Sequence, residues 1–430
     1  MTKERLAIIG GGISGMAAAY FLHKKYDIVL FEKNSYIGGH AQMIDINYGD
    51  TRFAVDTAVM IFDRKNYENF DKLLRAIGLP ESHKLPTNLS FSGSFEDGRL
   101  EYSSAKPLLQ WNNTLSLRSW RLVWHYERFV WIGKRDLEHR REWLRSHTFA
   151  EYLAARRINE DCIKNIITPL YACIFSLTRA EVLEWPAETL MGFLARHNML
   201  GADLRFGAFS SWRMLRGGTR EYIERLTAPY KDAIRLNTPV KSIHRVDGKI
   251  VVSLMEGTSE TFDKAIIAAH ANEALELLAE PTEDERRILG SFPYTKKRTF
   301  IIHKDASVMP LRSKCWAAFN NTDRLPRTDG DMAITYWLNP IQGIDERYPI
   351  FLSINTEAVR QEDRLGEFEY THPAFTANSY EAQEELPKLQ GVGGIYYCGS
   401  YFGYACHEDG LVAAMTVSES LGGEIPWRAN

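Results

Sequence analysis

The chain has 430 residues, 45% of them hydrophobic and 25% charged, with a net charge of −3. That length predicts two or three domains with ample core, and the charge gives no reason to expect a nucleic-acid partner. The five cysteines include no C-x-x-C pair and no apolar run nears the ~18 residues that span a bilayer, so a reduced, cytoplasmic setting is expected.

The start, MTKERLAIIGGG, runs into a strand pattern with no apolar signal region. Leu6 to Ile9 read as a buried strand, Gly10-x-Gly12-x-x-Gly15 as a turn, Ser14 to Lys24 as a helix, and DIVLFE as a second strand ending at Glu32. A glycine fingerprint that follows a strand, opens a helix and has an acid about 20 residues on is the context of a dinucleotide site. Gly10 permits the tight turn, Gly12 lets backbone approach a pyrophosphate, and Gly15 lets helix and strand pack. The helix N-terminus then faces the phosphates, and Glu32 accepts the ribose hydroxyls. KNSYIGGH brings a second glycine pair, and RFAVDTAVMIFD a strand carrying Asp56-Thr57.

Further along, NYENFDKLLRAIGL predicts an amphipathic helix, and LSFSGSFEDGRLEYSS a hairpin turning at Asp97-Gly98. Residues 107–205 read as mainly helical. Within them Arg118, Arg121, His125 and Arg128 fall on one helical face, and Trp120, Val123, Trp124 and Trp131 on another. Two readings stand: a helix packing its tryptophan face on the core, and an interfacial helix with tryptophan at headgroup depth and arginine meeting anionic lipid. SSWRMLRGGTREYIERLTAPY supplies a Gly-Gly and a helix. A hairpin turning at Asp247-Gly248 and an apolar strand ending at Ala268-Ala269-His270 follow. Residues 271–390 hold more strands and few helices. IYYCG is a last strand, and EDGLVAAMTVSESLGG a helix closed by Gly-Gly.

The stretch YYCGSYFGYACHEDGL (Tyr396 to Leu411) concentrates aromatics, cysteines, a histidine and acids. A metal site is disfavoured because Cys406, His407 and Glu408 are adjacent and cannot easily converge on one ion, and no H-x-x-x-H or C-x-x-C frame exists elsewhere. Cys398 and Cys406 lack the spacing of a redox pair. A wall against a flat cofactor is the reading that remains.

Glu32, Lys33 and the Gly38-Gly39 pair after the fingerprint resemble the flavin amine oxidoreductase superfamily, which binds FAD. THPAFTANSYEAQEEL, GIYYCGSYFGYACHEDGL, AITYWLNPIQGI and FIIHKDASVMP are further similar to a bacterial group of FAD-dependent amine-oxidase-like oxidoreductases often associated with cyclopropane-fatty-acid-synthase-like methyltransferases. The resemblance runs from Arg5 to Gly423. It implies an α/β fold with a discontinuous Rossmann-type FAD-binding domain (residues 1–70, 206–270 and 391–430) and an inserted mixed sheet-and-helix substrate domain (71–205 and 271–390).

It also implies site roles. His40 stands where a basic residue usually meets the pyrophosphate, Thr57 lies in the segment passing beside the flavin, and backbone near Val240 touches the adenine end. Gly399 ends the last strand, and Ser400 replaces an acid that binds the ribityl chain. The amides of Gly410 and Leu411 are expected at the flavin pyrimidine edge. EYTHPAFT, where some amine oxidases attach flavin covalently, has no cysteine, so FAD is expected to be non-covalent. His407 takes the place of one ring of the amine cage, and the other falls at Tyr370 to His372. His407, His372 and Tyr404 are therefore the candidate catalytic residues, with His407 as a proton-transfer group. The expected activity is hydride removal from carbon of a hydrophobic, acyl-lipid-like substrate. An imine-forming amine oxidase is one alternative, and a non-catalytic flavin-bound partner of a lipid-modifying enzyme, such as the methyltransferase, is another. A peripheral contact at the inner membrane surface would suit a lipid substrate.

Overall fold

The computed structural model describes residues 3–58, 61–87, 89–104, 116–197, 200 and 212–428. Residues 105–115 and 201–211, which fall in or beside the segment expected to be helical, lie outside that set.

Three distant stretches build one sheet. Arg5–Ile9 pairs in parallel with Asp27–Phe31 on one side and Lys264–Ile267 on the other, and Ile234–Arg235 and Ile395–Tyr397 complete a five-stranded parallel sheet. Alternate residues of these strands feed two cores. Leu6, Ile8, Leu30 and Ile266 face the larger one, while Ala7, Ile9, Val29, Phe31, Ala265 and Ile267 face the other. A parallel strand covered on both faces needs such an unbroken apolar run. On the first face the helices Ile13–Leu22 and His407–Ser420 pack together, and small residues Ala17 to Ala19 let them approach closely.

A second sheet of seven strands combines Phe91–Phe95 and Leu100–Ser103 with five strands between Arg298 and Tyr370. Both expected hairpins form. Asp247 and Gly248 have φ of 49° and 74°, the backbone a two-residue turn demands between antiparallel strands. The turn at Asp97-Gly98 is longer, with positive φ beginning at Glu96. A small sheet joins Phe62–Asp63, Lys84–Pro86 and Trp212–Leu215, chain from both sides of the boundary expected at residue 70.

The described part of 107–205 is helical, led by Leu117–His139. This helix buries Leu122, Tyr126, Phe129, Val130 and Gly133, whereas Trp120, Val123, Trp124 and Trp131 are exposed. The tryptophan face therefore does not pack on the core; the Leu/Tyr/Phe/Val stripe does. Arg118 is not a free cation of this helix either, since Glu96 and Asp161 both pair with it. No helix among the described residues is long and apolar enough to cross a membrane.

Candidate active site

A cavity of about 920 Å³ opens at the carboxyl ends of the parallel strands, where ligands of open α/β sheets bind. Its floor is the glycine loop. Gly10 has φ of 106°, and a Cβ there would meet the Ala268 carbonyl oxygen at 2.6 Å. A Cβ on Gly15 would sit 1.9 Å from the Gly10 carbonyl oxygen, so that glycine serves packing. A Cβ on Gly12 would meet nothing within 4 Å, since that position looks into the cavity. The helix above it begins its own bonding at Met16, which donates to the Gly12 carbonyl. The amides of Ile13, Ser14 and Gly15 thus belong to the first turn, whose donors a helix leaves unused. Ser14 lines the cavity as well. Its hydroxyl donates to the Gly410 carbonyl at 2.9 Å and ties the two helices together.

Glu32 is buried, and each carboxylate oxygen accepts one amide, from Gly11 at 2.7 Å and from Asn34 at 2.8 Å. Each oxygen keeps a lone pair for a ribose hydroxyl. Gly38 and Gly39 fold back onto the loop: Gly38 donates to the Gly11 carbonyl at 2.8 Å, and a Cβ on Gly39 would lie 3.1 Å from the Gly12 Cα. Lys33 lines the cavity but pairs with Glu273 at 2.7 Å. Val240, Thr238 and Met255 line the Glu32 end, and Gly399, Ser400, Tyr370 and His407 also line the cavity. These residues fit FAD: an acid for ribose, a glycine cradle with free amides for pyrophosphate, and a helix N-terminus beyond.

That helix, His407–Ser420, corrects one expectation. Gly410 already donates to the Cys406 carbonyl at 3.2 Å, and Leu411 is the next residue along the helix and fully buried. Their amides belong to the helix, and the first-turn donors are those of His407 and Glu408. Asp409 seals the preceding loop by accepting from the amides of Tyr404 and Cys406, with Arg196 beside it at 3.1 Å.

His407 lines the cavity, and its Nε2 lies 3.1 Å from the buried Tyr222 hydroxyl; the ring of Phe70 meets it edge-on at 5.0 Å. Burial pushes its imidazole down to about 3, so near neutral pH it is uncharged and a weak base. A proton-transfer role is thereby disfavoured, because an effective base titrates near working pH. Tyr404 turns away, donating to the fully buried Glu188 at 2.9 Å under the guanidinium of Arg196. It is not among the residues lining the cavity, and neither is His372, which stacks on His40 with centroids 5.6 Å apart. Burial, with His270 and Arg298 nearby, pushes His372 down to about 4. His40 itself lines the cavity, stacked on His270 at 5.5 Å and met edge-on by Tyr370 at 4.4 Å. Burial, then His372 and His270, hold it well below 6.5. Thr57 spends its hydroxyl on Gln42 and on Tyr370, so it positions Tyr370 without lining the cavity.

Sequence reasoning missed His270, Tyr222 and Phe70. His270 caps the helix Ala271–Leu277, and its place at the end of a parallel strand was the available signal. Tyr222 leans on a helix that Asp56 anchors, accepting from the Thr219 amide at 3.0 Å and hydroxyl at 2.6 Å. Nothing in local sequence pairs it with His407.

A dinucleotide cradle at the mouth of a parallel sheet, closed by a second helix N-terminus, defines a dinucleotide-binding protein of the Rossmann class. The model of the flavin-containing amine oxidoreductase family matches residues 13–336, and the chain belongs to that family. It is a flavin oxidoreductase with FAD as its cofactor. No curated protein matches the chain by sequence. Among solved structures it is similar to a CLA-producing fatty acid isomerase from P. acnes (15% identity, 97% of this chain and 98% of that one, TM-score 0.67). It is also similar to putrescine oxidase bound to putrescine (12%, 97% and 99%, TM-score 0.69) and to cyclohexylamine oxidase from Brevibacterium oxydans (15%, 98% and 100%, TM-score 0.64). At these identities the likeness is one of fold.

Proposed function

We propose that this flavin oxidoreductase acts on an acyl-lipid-like substrate, removing a hydride from carbon and leaving a new or displaced double bond. The observation that carries the reading is the neutral wall at His407. An amine-binding site needs a partner for an ammonium, yet the carboxylates of Glu408, Asp409 and Asp56 do not line the cavity and are turned to backbone amides. Glu408 accepts from the amides of Asn69 and Phe70, Asp409 from Tyr404 and Cys406, and Asp56 from Thr219. The rings facing the cavity here, those of His407, Tyr370 and His40, are uncharged and offer an ammonium no direct ion pair, whereas a hydrocarbon loses nothing against them.

FAD supplies the two-electron acceptor when bound. The chain's own residues do the rest. The Gly10-to-Gly15 loop and Glu32 hold the dinucleotide half. The first-turn amides of His407 and Glu408 would offer positive partial charge to a flavin held there, a group that gathers negative charge when reduced. Tyr222 fixes the His407 ring. The methyltransferase association implied by the sequence resemblance supports a lipid, and the fold is shared by a fatty acid isomerase as well as by amine oxidases. The test is product chromatography after aerobic and anaerobic incubation of the holoenzyme with linoleic acid, putrescine and cyclohexylamine. Shifted or added double bonds in the lipid are expected. Aldehyde or ketone from the amines, with untouched lipid, would overturn the reading.

A further inference from the structure

We propose that the outward face of the helix Leu117–His139 is a docking surface for an anionic lipid membrane. The helix is fixed by its inner stripe, Leu122, Tyr126, Phe129 and Val130, so its opposite face is held outward. That face is unusually apolar. Leu117 is 89% exposed, Trp120 57%, Trp124 59% and Trp131 65%, and among the described residues every largely exposed tryptophan lies on this helix. Large apolar groups concentrated on one exposed element mark an interaction surface.

The arrangement selects the partner. Leu117, Trp124 and Trp131 recur every seven residues, which is two helical turns, and so do Arg121, Arg128 and Arg135. Each arginine follows an apolar residue by four positions, so the two rows run side by side. Around them Lys134 adds to the positive side, and Glu127 and Glu138 oppose it, leaving an excess of cations on a chain whose net charge is −3. Tryptophan rings beside arginines whose stems reach over apolar surface match the headgroup boundary, where an indole sits half in hydrocarbon and a guanidinium meets phosphate. Arg118 takes no part, because Glu96 and Asp161 hold it; Arg121 lies 4.0 Å from Asp161 but keeps 58% of its side chain exposed, and Arg128 also donates to the Arg157 carbonyl. The inference is independent of the substrate, since it concerns a surface and is read by binding alone.

The experiment is co-sedimentation of the FAD-loaded full chain with phosphatidylglycerol/phosphatidylcholine vesicles and with phosphatidylcholine vesicles, at low and high salt. Tryptophan emission and sedimentation-velocity mass are recorded alongside. Binding to the anionic vesicles, a blue shift and loss at high salt are expected. Arg121→Gln, Arg128→Gln and Arg135→Gln together should weaken partitioning on the order of 100-fold, at roughly one kcal/mol per cation. Trp120→Ser, Trp124→Ser and Trp131→Ser together should abolish the blue shift, and the melting curves should be unchanged because these side chains lie outside the core. No binding at low salt, equal binding to both vesicle types, or a dimer that the tryptophan variant converts to monomer would each overturn the proposal.

Discussion

Gly12→Val separates a glycine that serves the fold from one that serves the cofactor. Gly12 has φ of −72° and ψ of −178°, extended backbone that valine readily adopts, and its Cβ would enter open cavity. The variant should fold and melt with the parent apoprotein. What it loses is the approach of a pyrophosphate to the first-turn amides. Hydrogen bonds to a charged group contribute about 1.5–3 kcal/mol each, so losing two costs about 3–6 kcal/mol. That is a weakening of FAD by roughly two to four orders of magnitude. Gly15→Val is the contrast: its Cβ would lie 1.9 Å from the Gly10 carbonyl oxygen, so the fold itself should fail. Fluorescence titration of apoprotein with FAD, beside thermal melts of both variants, reads the two effects apart. Full FAD affinity in Gly12→Val, or a Gly15→Val protein as stable as the parent, would refute the assignment of these glycines.

His407→Asn should retain FAD and slow turnover by less than the roughly 100-fold that marks a lost acid or base, with no change in the pH profile; a larger loss with a vanished pH limb would restore a proton-transfer role. Asp56→Ala removes the acceptor for the Thr219 amide and should cost about 1–2 kcal/mol, as helix-cap losses do, seen as a lower denaturation midpoint. An unchanged midpoint would show that Asp56 is not holding that helix. Apoprotein stability should fall as pH drops below about 6.5: unfolded histidines take up protons there, whereas folded His372 and His407 wait until about 4 and about 3. His40 and His270 are lowered as well, whereas Asp56, raised by burial to about 6, and Glu408, also raised by burial, oppose them. Melting points that hold steady or rise from pH 7 to pH 5 would contradict this ledger of charges.

The dinucleotide half was legible because it depends on short-range rules. Glycines at fixed offsets between a strand and a helix, and an acid at the next strand's end, leave little freedom in how backbone meets phosphate. Both hairpins were legible for the same reason: Asp-Gly tolerates the positive φ that a turn imposes. The substrate side was not. His407 could be placed by its offset from Gly410, but its charge state depends on Tyr222 and Phe70, which arrive from elements far away in the chain. The helix amides were misassigned by one turn, since only the observed start at His407 fixes which donors the helix consumes. The tryptophan helix was misread on its core-packing side because periodicity reports that faces differ, without saying which one turns inward.

The central claim, hydride removal from a hydrocarbon beside an uncharged wall, is tested most directly by anaerobic stopped-flow mixing. The holoenzyme is mixed with linoleic acid carrying hydrogen or deuterium on the carbons beside its double bonds, and with putrescine, while visible flavin absorbance is followed. The oxidised flavin band should fall with the lipid, transiently or lastingly, and more slowly with deuterium, while putrescine leaves it unchanged. A band that ignores the lipid and bleaches with putrescine would contradict the account.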